Sequence, residues 1–215
     1  AIVGTVNADY KDFLYVEGTL KRDRYSTMNP NNNSFLYPSI NTGFVISDAF
    51  KLPSAITFSK IRASYGVVGN YPEVYAANVA YTQQTLGVQA VGGKPVLYTF
   101  LPSNFGNELI RPEQKKEIEL GWDTRFYNGR FGFDFSYYNA QIVDQILPLD
   151  IASSSGARTI LTNIGTLRNR GLELSLNAKA IKSKSLNWDV TLNLANNKNK
   201  VEKLANNSTE LLHAD

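Results

Sequence analysis

The sequence predicts an all-β protein: the antiparallel, up-and-down wall of a transmembrane β-barrel, with about eight strands. Three observations carry this prediction. Apolar and polar residues alternate with period two along most of the chain, so each run has one apolar and one polar face. Most of the runs are about 9–13 residues long; a tilted strand needs about 9–11 to cross a bilayer, and a globular strand is nearer 5–6. The links between runs alternate short and long, as periplasmic turns and extracellular loops do in outer-membrane barrels, whereas a soluble sandwich has no reason to sort its loops by parity.

The elements follow in order. Ile2, Gly4, Val6, Ala8 and Tyr10 alternate with Val3, Thr5, Asn7 and Asp9. After a short link, Leu14, Val16, Gly18 and Leu20 alternate with Tyr15, Glu17, Thr19 and Lys21. Asp23 to Tyr37 is read as a longer loop, centred on Asn29-Pro30-Asn31-Asn32-Asn33. Ile40, Thr42, Phe44 and Ile46 then form the apolar side of a third strand. Ser47 to Ser59 is a moderate link, with one helical turn placed over Asp48 to Leu52 before Pro53. Ile61, Ala63, Tyr65 and Val67 open onto a very long excursion, Gly69 to Lys116. The clearest hairpin lies within Glu117 to Gln141: Ile118, Leu120, Trp122 and Phe126, then Phe131, Phe133, Phe135 and Tyr137. Asn128-Gly129 between them supplies the two positive φ values of a type I′ turn. Ile142 to Arg168 is read as a long loop. Leu172 to Ala180 and Leu186 to Leu194 form the last two alternating runs, joined by the short link Lys182 to Ser185. The polar stretch Asn196 to Lys200 reads as loop.

Composition narrows the function classes. Aromatics are 12% of residues, Tyr foremost, which suits a bilayer interface; charged residues are only 19%. No run of about 20 apolar residues exists, so no transmembrane helix is predicted. There is no cysteine, hence no disulfide framework or thiolate metal site. Net charge is +3, too mild to point to nucleic acid. The sequence starts in mid-strand without a signal peptide and ends in polar, loop-like residues; eight strands could close a small barrel, but the wide polar face and the long loops lead to the expectation of an arc of a larger barrel with strands missing at both ends.

Segments along nearly the whole chain resemble the C-terminal part of the barrel of SusC/RagA-like TonB-dependent outer-membrane transporters of the Bacteroidetes. They include Ala8-Asp9-Tyr10-Lys11-Asp12, Gly18-Thr19-Leu20-Lys21-Arg22-Asp23 and Lys60-Ile61-Arg62-Ala63-Ser64-Tyr65-Gly66. Further along come Ile110-Arg111-Pro112-Glu113, Glu119-Leu120-Gly121-Trp122-Asp123, Asp144-Gln145-Ile146-Leu147-Pro148, Asn163-Ile164-Gly165 and Asn169-Arg170-Gly171-Leu172-Glu173. The resemblance implies a barrel of about 22 strands with an internal plug. It further implies a TonB box, a SusD-like surface lipoprotein lid, and import of glycans or peptides across the outer membrane by binding and gating, without a cofactor. Residues 1–215 would then be a barrel fragment, with the plug and TonB box elsewhere in the protein. At Leu109-Ile110-Arg111-Pro112-Glu113 the chain departs from the family's Asn-Pro-x-Leu-x-Trp-Glu pattern, which marks a subgroup.

Candidate chemistry is sparse. His213 is the sole histidine, too little for a metal site. Glu117, Glu119 and Asp123 share a face, but lumen charges bonded to water or plug explain them better than a carboxylate-pair hydrolase. Gly66 to Asn70 lacks the Lys-Ser/Thr of a phosphate loop. Arg168, Asn169 and Arg170 are a small basic cluster, placed at a strand end near the outer interface rather than assigned to nucleic acid. The excursion Gly69 to Lys116 holds the substrate- or partner-contact candidates Tyr71, Tyr75, Tyr81, Tyr98, Phe100 and Phe105, set among amides; aromatic faces stack on sugars, though packing within the loop or on a partner protein is the plainer role. No catalytic residue or enzyme activity is expected. The competing class is a non-transporting surface β-protein, an adhesin or carbohydrate-binding module.

Overall fold

Eight long strands form one antiparallel sheet in the computed structural model, which describes residues 1–73, 77, 81–91 and 94–204. In chain order the elements are β1 (Ile2–Tyr10), β2 (Leu14–Arg24), β3 (Ser34–Val45), the single turn α1 (Ile46–Ala49) and β4 (Ile56–Asn70). Then come β5 (Thr82–Val91), β6 (Lys94–Phe100), β7 (Asn104–Phe105), β8 (Glu113–Phe126), β9 (Phe131–Asp150), β10 (Thr159–Lys182) and β11 (Asn187–Lys203). The sheet order is β1-β2-β3-β4-β8-β9-β10-β11, so each long strand pairs with its neighbour in sequence except where the excursion 71–112 leaves β4 and returns into β8. Within that excursion β5 and β6 make a separate two-stranded hairpin, and β7 adds in parallel to the outer end of β10.

Register joins the alternations into two continuous faces. Phe44, Ile61, Trp122, Phe135, Leu174 and Leu194 are successive cross-strand partners on one face. Gly43, Arg62, Gly121, Ser136, Glu173 and Ala195 are successive partners on the other. Cross-strand partners share a side of the sheet, so this register separates the apolar face from the polar face across all these strands. The apolar face stays uncovered: Trp122 is 45% exposed, Leu172 47% and Leu192 50%. An apolar surface of that extent is what a bilayer covers. Within the apolar band its hydroxyls are bonded internally, with Thr42 donating to the Ala63 carbonyl at 3.0 Å. The Ser59 and Thr124 hydroxyls lie 3.1 Å apart and buried, and Trp122 Nε1–H donates to Ser59 at 3.1 Å. Hydrocarbon offers no substitute partner, so such groups must be satisfied internally.

The short-link end carries an aromatic belt. Tyr10, Phe13, Phe44 and Phe50 form a chain of ring contacts with centroids 5.5–6.2 Å apart. Phe133 meets Trp122 edge-on at 4.9 Å and stacks near Phe126. Three of the four links here are tight, the fourth being 46–55 with α1. Tyr127, Asn128 and Gly129 adopt φ of 50°, 55° and 73°, and Arg130 N–H bonds Phe126 C=O at 3.0 Å and Tyr127 C=O at 3.2 Å, so the expected two-residue type I′ turn becomes a four-residue loop between Phe126 and Phe131, left-handed from Tyr127 onward. Lys11 and Asp12 adopt the same left-handed region (φ 48° and 56°) with no glycine to announce it, and Phe13 N–H closes that turn onto Tyr10 C=O.

Several predicted boundaries move, all in the direction of longer strands. The loop read as Asp23 to Tyr37 shrinks to 25–33, and the helical turn read at Asp48 to Leu52 forms earlier, at Ile46–Ala49. The excursion read as Gly69 to Lys116 spans 71–112 and contains strands of its own. Ile142 to Arg168, read as a long loop, is mostly strand: β9 runs to Asp150 and β10 starts at Thr159, leaving only 151–158. The periodicity failed there because bulges break it. Asp144 sits at φ 57°, and the β9–β10 register shifts on both sides of Gly165. Asn196 to Lys200, read as loop, belongs to β11, paired with Leu172 to Arg168. This end of β11 carries Asn and Lys on both faces, so no apolar partner signals the strand.

Candidate functional site: a polar wall beneath an anchored outer loop

On the polar face, β4, β8 and β9 bring together charges far apart in sequence. Arg62 projects across Gly121, its register partner, and donates to both Asp134 carboxylate oxygens at 3.0–3.2 Å. A Cβ on Gly121 would lie 2.8 Å from the guanidinium, so any larger residue there would displace the Arg62 side chain from this crossing. The neighbouring acids are distributed among bases: Glu117 is paired with Lys115, and Asp123 lies 3.5 Å from Arg125. Asn41 Nδ2–H donates to Glu17 at 3.0 Å. A cavity of about 570 Å³ lies over this wall, lined by Asn7, Glu17, Asn41, Lys60, Arg62 and Glu119 among others. Glu117, Glu119 and Asp123 do share a face, but ion pairing of the first and third leaves no isolated carboxylate couple of the kind acid–base hydrolysis needs. Among the described residues no group of His, Cys, Asp and Glu is arranged to hold a metal.

At the long-loop end the excursion is pinned at its base. Met28, Ala77 and Ile110 are buried together, with Tyr25, Phe35, Ile146 and Leu161 packed around them. This small core draws on the 25–33 loop, both limbs of the excursion, and the tops of β9 and β10. A polar clip reinforces it. Asn163 accepts from the Arg111 N–H at 2.8 Å and donates to the Arg111 and Asp144 carbonyls at 2.8 and 2.7 Å. The Arg111 guanidinium lies 3.1 Å from the Asp144 carboxylate, and Ile146 N–H donates to Glu113 at 2.8 Å. Three sequence segments that are separate along the chain therefore meet in one joint. Beside it, Tyr25 donates to Asp23 at 2.9 Å and approaches the Tyr37 hydroxyl; burial, with those bonds, raises its phenol well above the usual tyrosine range.

The six aromatic candidates divide by place. Tyr71 stacks on Tyr25 with centroids 4.5 Å apart, at the anchored base. Phe105 lies in β7, held against Ile160 of β10. Tyr81, Tyr98 and Phe100 are on the hairpin: Tyr81 is 71% exposed, Tyr98 stacks near Phe100 at 5.8 Å, and the Tyr98 hydroxyl donates to Gln84 at 2.8 Å. Tyr75 lies outside the described residues, as does His213. Sequence reasoning did not find the Arg62–Asp134 bridge or the Asn163 clip. The signal for the first was present as a lone arginine between Ile61 and Ala63 with glycine on a neighbouring polar face, but pairing it requires the register.

Comparison with known proteins gives the same architecture. The family model described as "TonB dependent receptor-like, beta-barrel" matches residues 5–210. TonB-dependent receptor P3 of Formosa agariphila is 31% identical over 95% of this chain and 20% of its own length. TonB-dependent receptor SusC of Bacteroides thetaiotaomicron is 28% identical over 86% of this chain and 19% of its own. The chain thus spans about a fifth of the length of these relatives. Among solved structures, the RagAB peptide transporter superposes with a TM-score of 0.83 over 96% of this chain and 22% of the other, at 20% identity. The siderophore receptor PirA of Pseudomonas aeruginosa gives 0.59 at 16% identity. These relatives are receptors and transporters rather than enzymes. An eight-strand antiparallel path, one apolar and one polar face, and a match over nearly every residue leave one assignment: the chain belongs to the TonB-dependent receptor-like β-barrel family, as barrel wall of the SusC/RagA kind.

Proposed function

We propose that this wall belongs to an outer-membrane importer that takes up glycans or peptides beneath a SusD-like lipoprotein lid and is energised through TonB. The observation that carries the proposal is the exposed hairpin β5–β6, raised on an anchored base at the long-loop end above a polar wall. An isolated two-stranded hairpin is marginal in water, and Leu97, Tyr98, Phe100 and Leu101 stay between 36% and 60% exposed on it. Such a surface suits a partner or ligand at the barrel mouth. The names of the relatives, SusC and a peptide importer, support the nutrient class. Residues 1–215 act as one stretch of the barrel domain. β1 and β11 are the edges of this sheet, and an unpaired edge is not tolerated in hydrocarbon, which supports the reading of this chain as one stretch of a larger barrel. The plug and TonB box lie elsewhere in the protein.

The test is deletion of 82–100 in the full-length gene, with insertion checked separately. Uptake of the cognate nutrient should slow, or the lipoprotein should be retained less. Unchanged uptake with unchanged retention refutes the role of the hairpin. If removing the whole gene alters growth on neither glycans nor peptides but abolishes surface attachment, the protein is an adhesin rather than an importer.

A further inference from the structure

Long side chains on the polar face lie flat where glycine lets them. Gly43, Arg62, Gly121 and Ser136 are successive partners in one row. The next row outward holds Asn41, Ser64, Glu119, Tyr138 and Gly171. The three glycines in these rows are each covered by a neighbour. A Cβ on Gly43 would lie 3.0 Å from Lys60 Cε, one on Gly121 2.8 Å from Arg62 Nε, and one on Gly171 2.5 Å from the Tyr138 ring. Lys60, Arg62 and Tyr138 are half-buried in this posture. A lysine or arginine beside water ordinarily extends its head into it; the missing Cβ atoms let these side chains lie across the neighbouring strand instead. The charges are also matched within the wall. Arg62 is bonded to Asp134, Glu117 to Lys115, Asp123 lies against Arg125, and Asn41 bonds Glu17. Lys60 and Glu119, of opposite sign, form no ion pair among the described residues. The strip crosses β3, β4, β8, β9 and β10, each of which is paired on both sides within this sheet.

We infer that this strip, from Gly43 to Gly171, is where the imported substrate slides past the plug, rather than a surface that the plug grips. The inference rests on the importer reading above and adds to it the sector of wall that the substrate follows. A gripped surface interdigitates at the density of a protein interior, and its core is depleted in charge. This strip is the opposite on both counts. Its long side chains are laid down instead of projecting, and it is rich in charges that wall residues already match. A plug would gain little by holding it. A passage needs contacts favourable enough to enter and weak enough to leave. The strip supplies them as the Ser64 and Ser136 hydroxyls, the Asn41 amide, and the charges of Lys60 and Glu119, separated by glycines. The substrate it fits is a hydrated chain of hydroxyl or amide groups without strong net charge, which keeps part of its water as it crosses.

The test uses Ser64→Cys and Ser136→Cys, one at a time, in the full-length, plug-containing protein in energised cells, with any other cysteine removed. A hydrophilic maleimide the size of a short oligosaccharide is added outside. Both cysteines should react during uptake, and a saturating excess of the cognate nutrient should slow the reaction about tenfold. Cysteines shielded while the plug is present, and reactive once it is deleted, would mark a gripped surface and overturn the inference. A reaction that the nutrient does not slow overturns it as the substrate's path. Gly121→Val gives a second readout, because it pushes Arg62 off the strip. Maximal uptake should fall about tenfold, while nutrient binding at the mouth and exclusion of a large antibiotic by the plug stay unchanged. Entry of the antibiotic would put the plug on the strip, and unchanged uptake would make the strip irrelevant to transit; either result overturns the inference. Should Gly121→Val not insert, the two cysteine variants, nearly isosteric with serine, decide alone. Glycan and peptide uptake that survives deletion of the whole gene sinks the importer reading and the strip with it. Gene-dependent uptake with both cysteines shielded sinks the strip alone.

Discussion

Leu174→Arg is the sharpest probe of the face assignment. Leu174 pairs with Phe135 on one side and Leu194 on the other. On that face the first cation outward is Lys198, and the last apolar row inward is Trp188 with Ile181. Along β11, Leu194 lies between them, with the two limits separated by ten residue steps. At about 3.3 Å per residue and a tilt of about 45°, those steps span roughly 23 Å of depth, close to the ~25 Å apolar band of an outer-membrane barrel. Leu194, and Leu174 with it, therefore falls about 9 Å below the cations and about 14 Å above Trp188, near the bilayer midplane. An arginine there should cost about 2–4 kcal/mol. Ser175→Arg, one residue along on the polar face beside Asp134 and Asn193, should cost far less because water reaches it. The assay is reversible unfolding of the full-length protein in lipid vesicles, read by tryptophan fluorescence. Equal costs, or a larger cost at Ser175, would show that the faces are exchanged. Cysteine labelling gives an independent reading: Ser175→Cys should react with a water-soluble probe and Leu174→Cys should not.

Two further outcomes test the sidedness and the joint. Epitope tags at 25–33, 82–100 or 151–158 should be detected on intact cells and a tag at Asn128-Gly129 should not; equal exposure of all four would contradict the up-and-down topology. Asn163→Ala removes three hydrogen bonds at the base of the excursion and leaves the Arg111 and Asp144 backbone groups without that partner, so the joint should weaken by about 1–3 kcal/mol. Limited proteolysis within 71–112 should then quicken while β8–β9 stays resistant; unchanged cleavage would mean the buried cluster around Ile110 holds the loop alone.

What depends on neighbours two residues away was readable along the chain. Period-two alternation is imposed residue by residue by lipid on one side and water on the other, so strand identity, face and fold class were legible in runs such as Ile118 to Phe126. The alternation of link lengths was only partly legible: 71–112 stays long, but 25–33 and 151–158 are no longer than the 46–55 link at the opposite end. Where polar residues occupy both faces of a strand, as in β11 beyond Asn196, that alternation disappears and the strand was invisible. The bulge at Asp144 also shifts the period. Lys11-Asp12 turns tightly without the residues that usually announce it. Which strands adjoin, and with what stagger, emerges only once the backbones pair. That stagger carries Arg62 over Gly121 to Asp134, joins Arg111, Asp144 and Asn163 into a clip, and sets Lys198 and Lys200 beside Arg170. Each of these unions spans tens of residues, and register across a hairpin is a property of paired backbones, which no local pattern encodes.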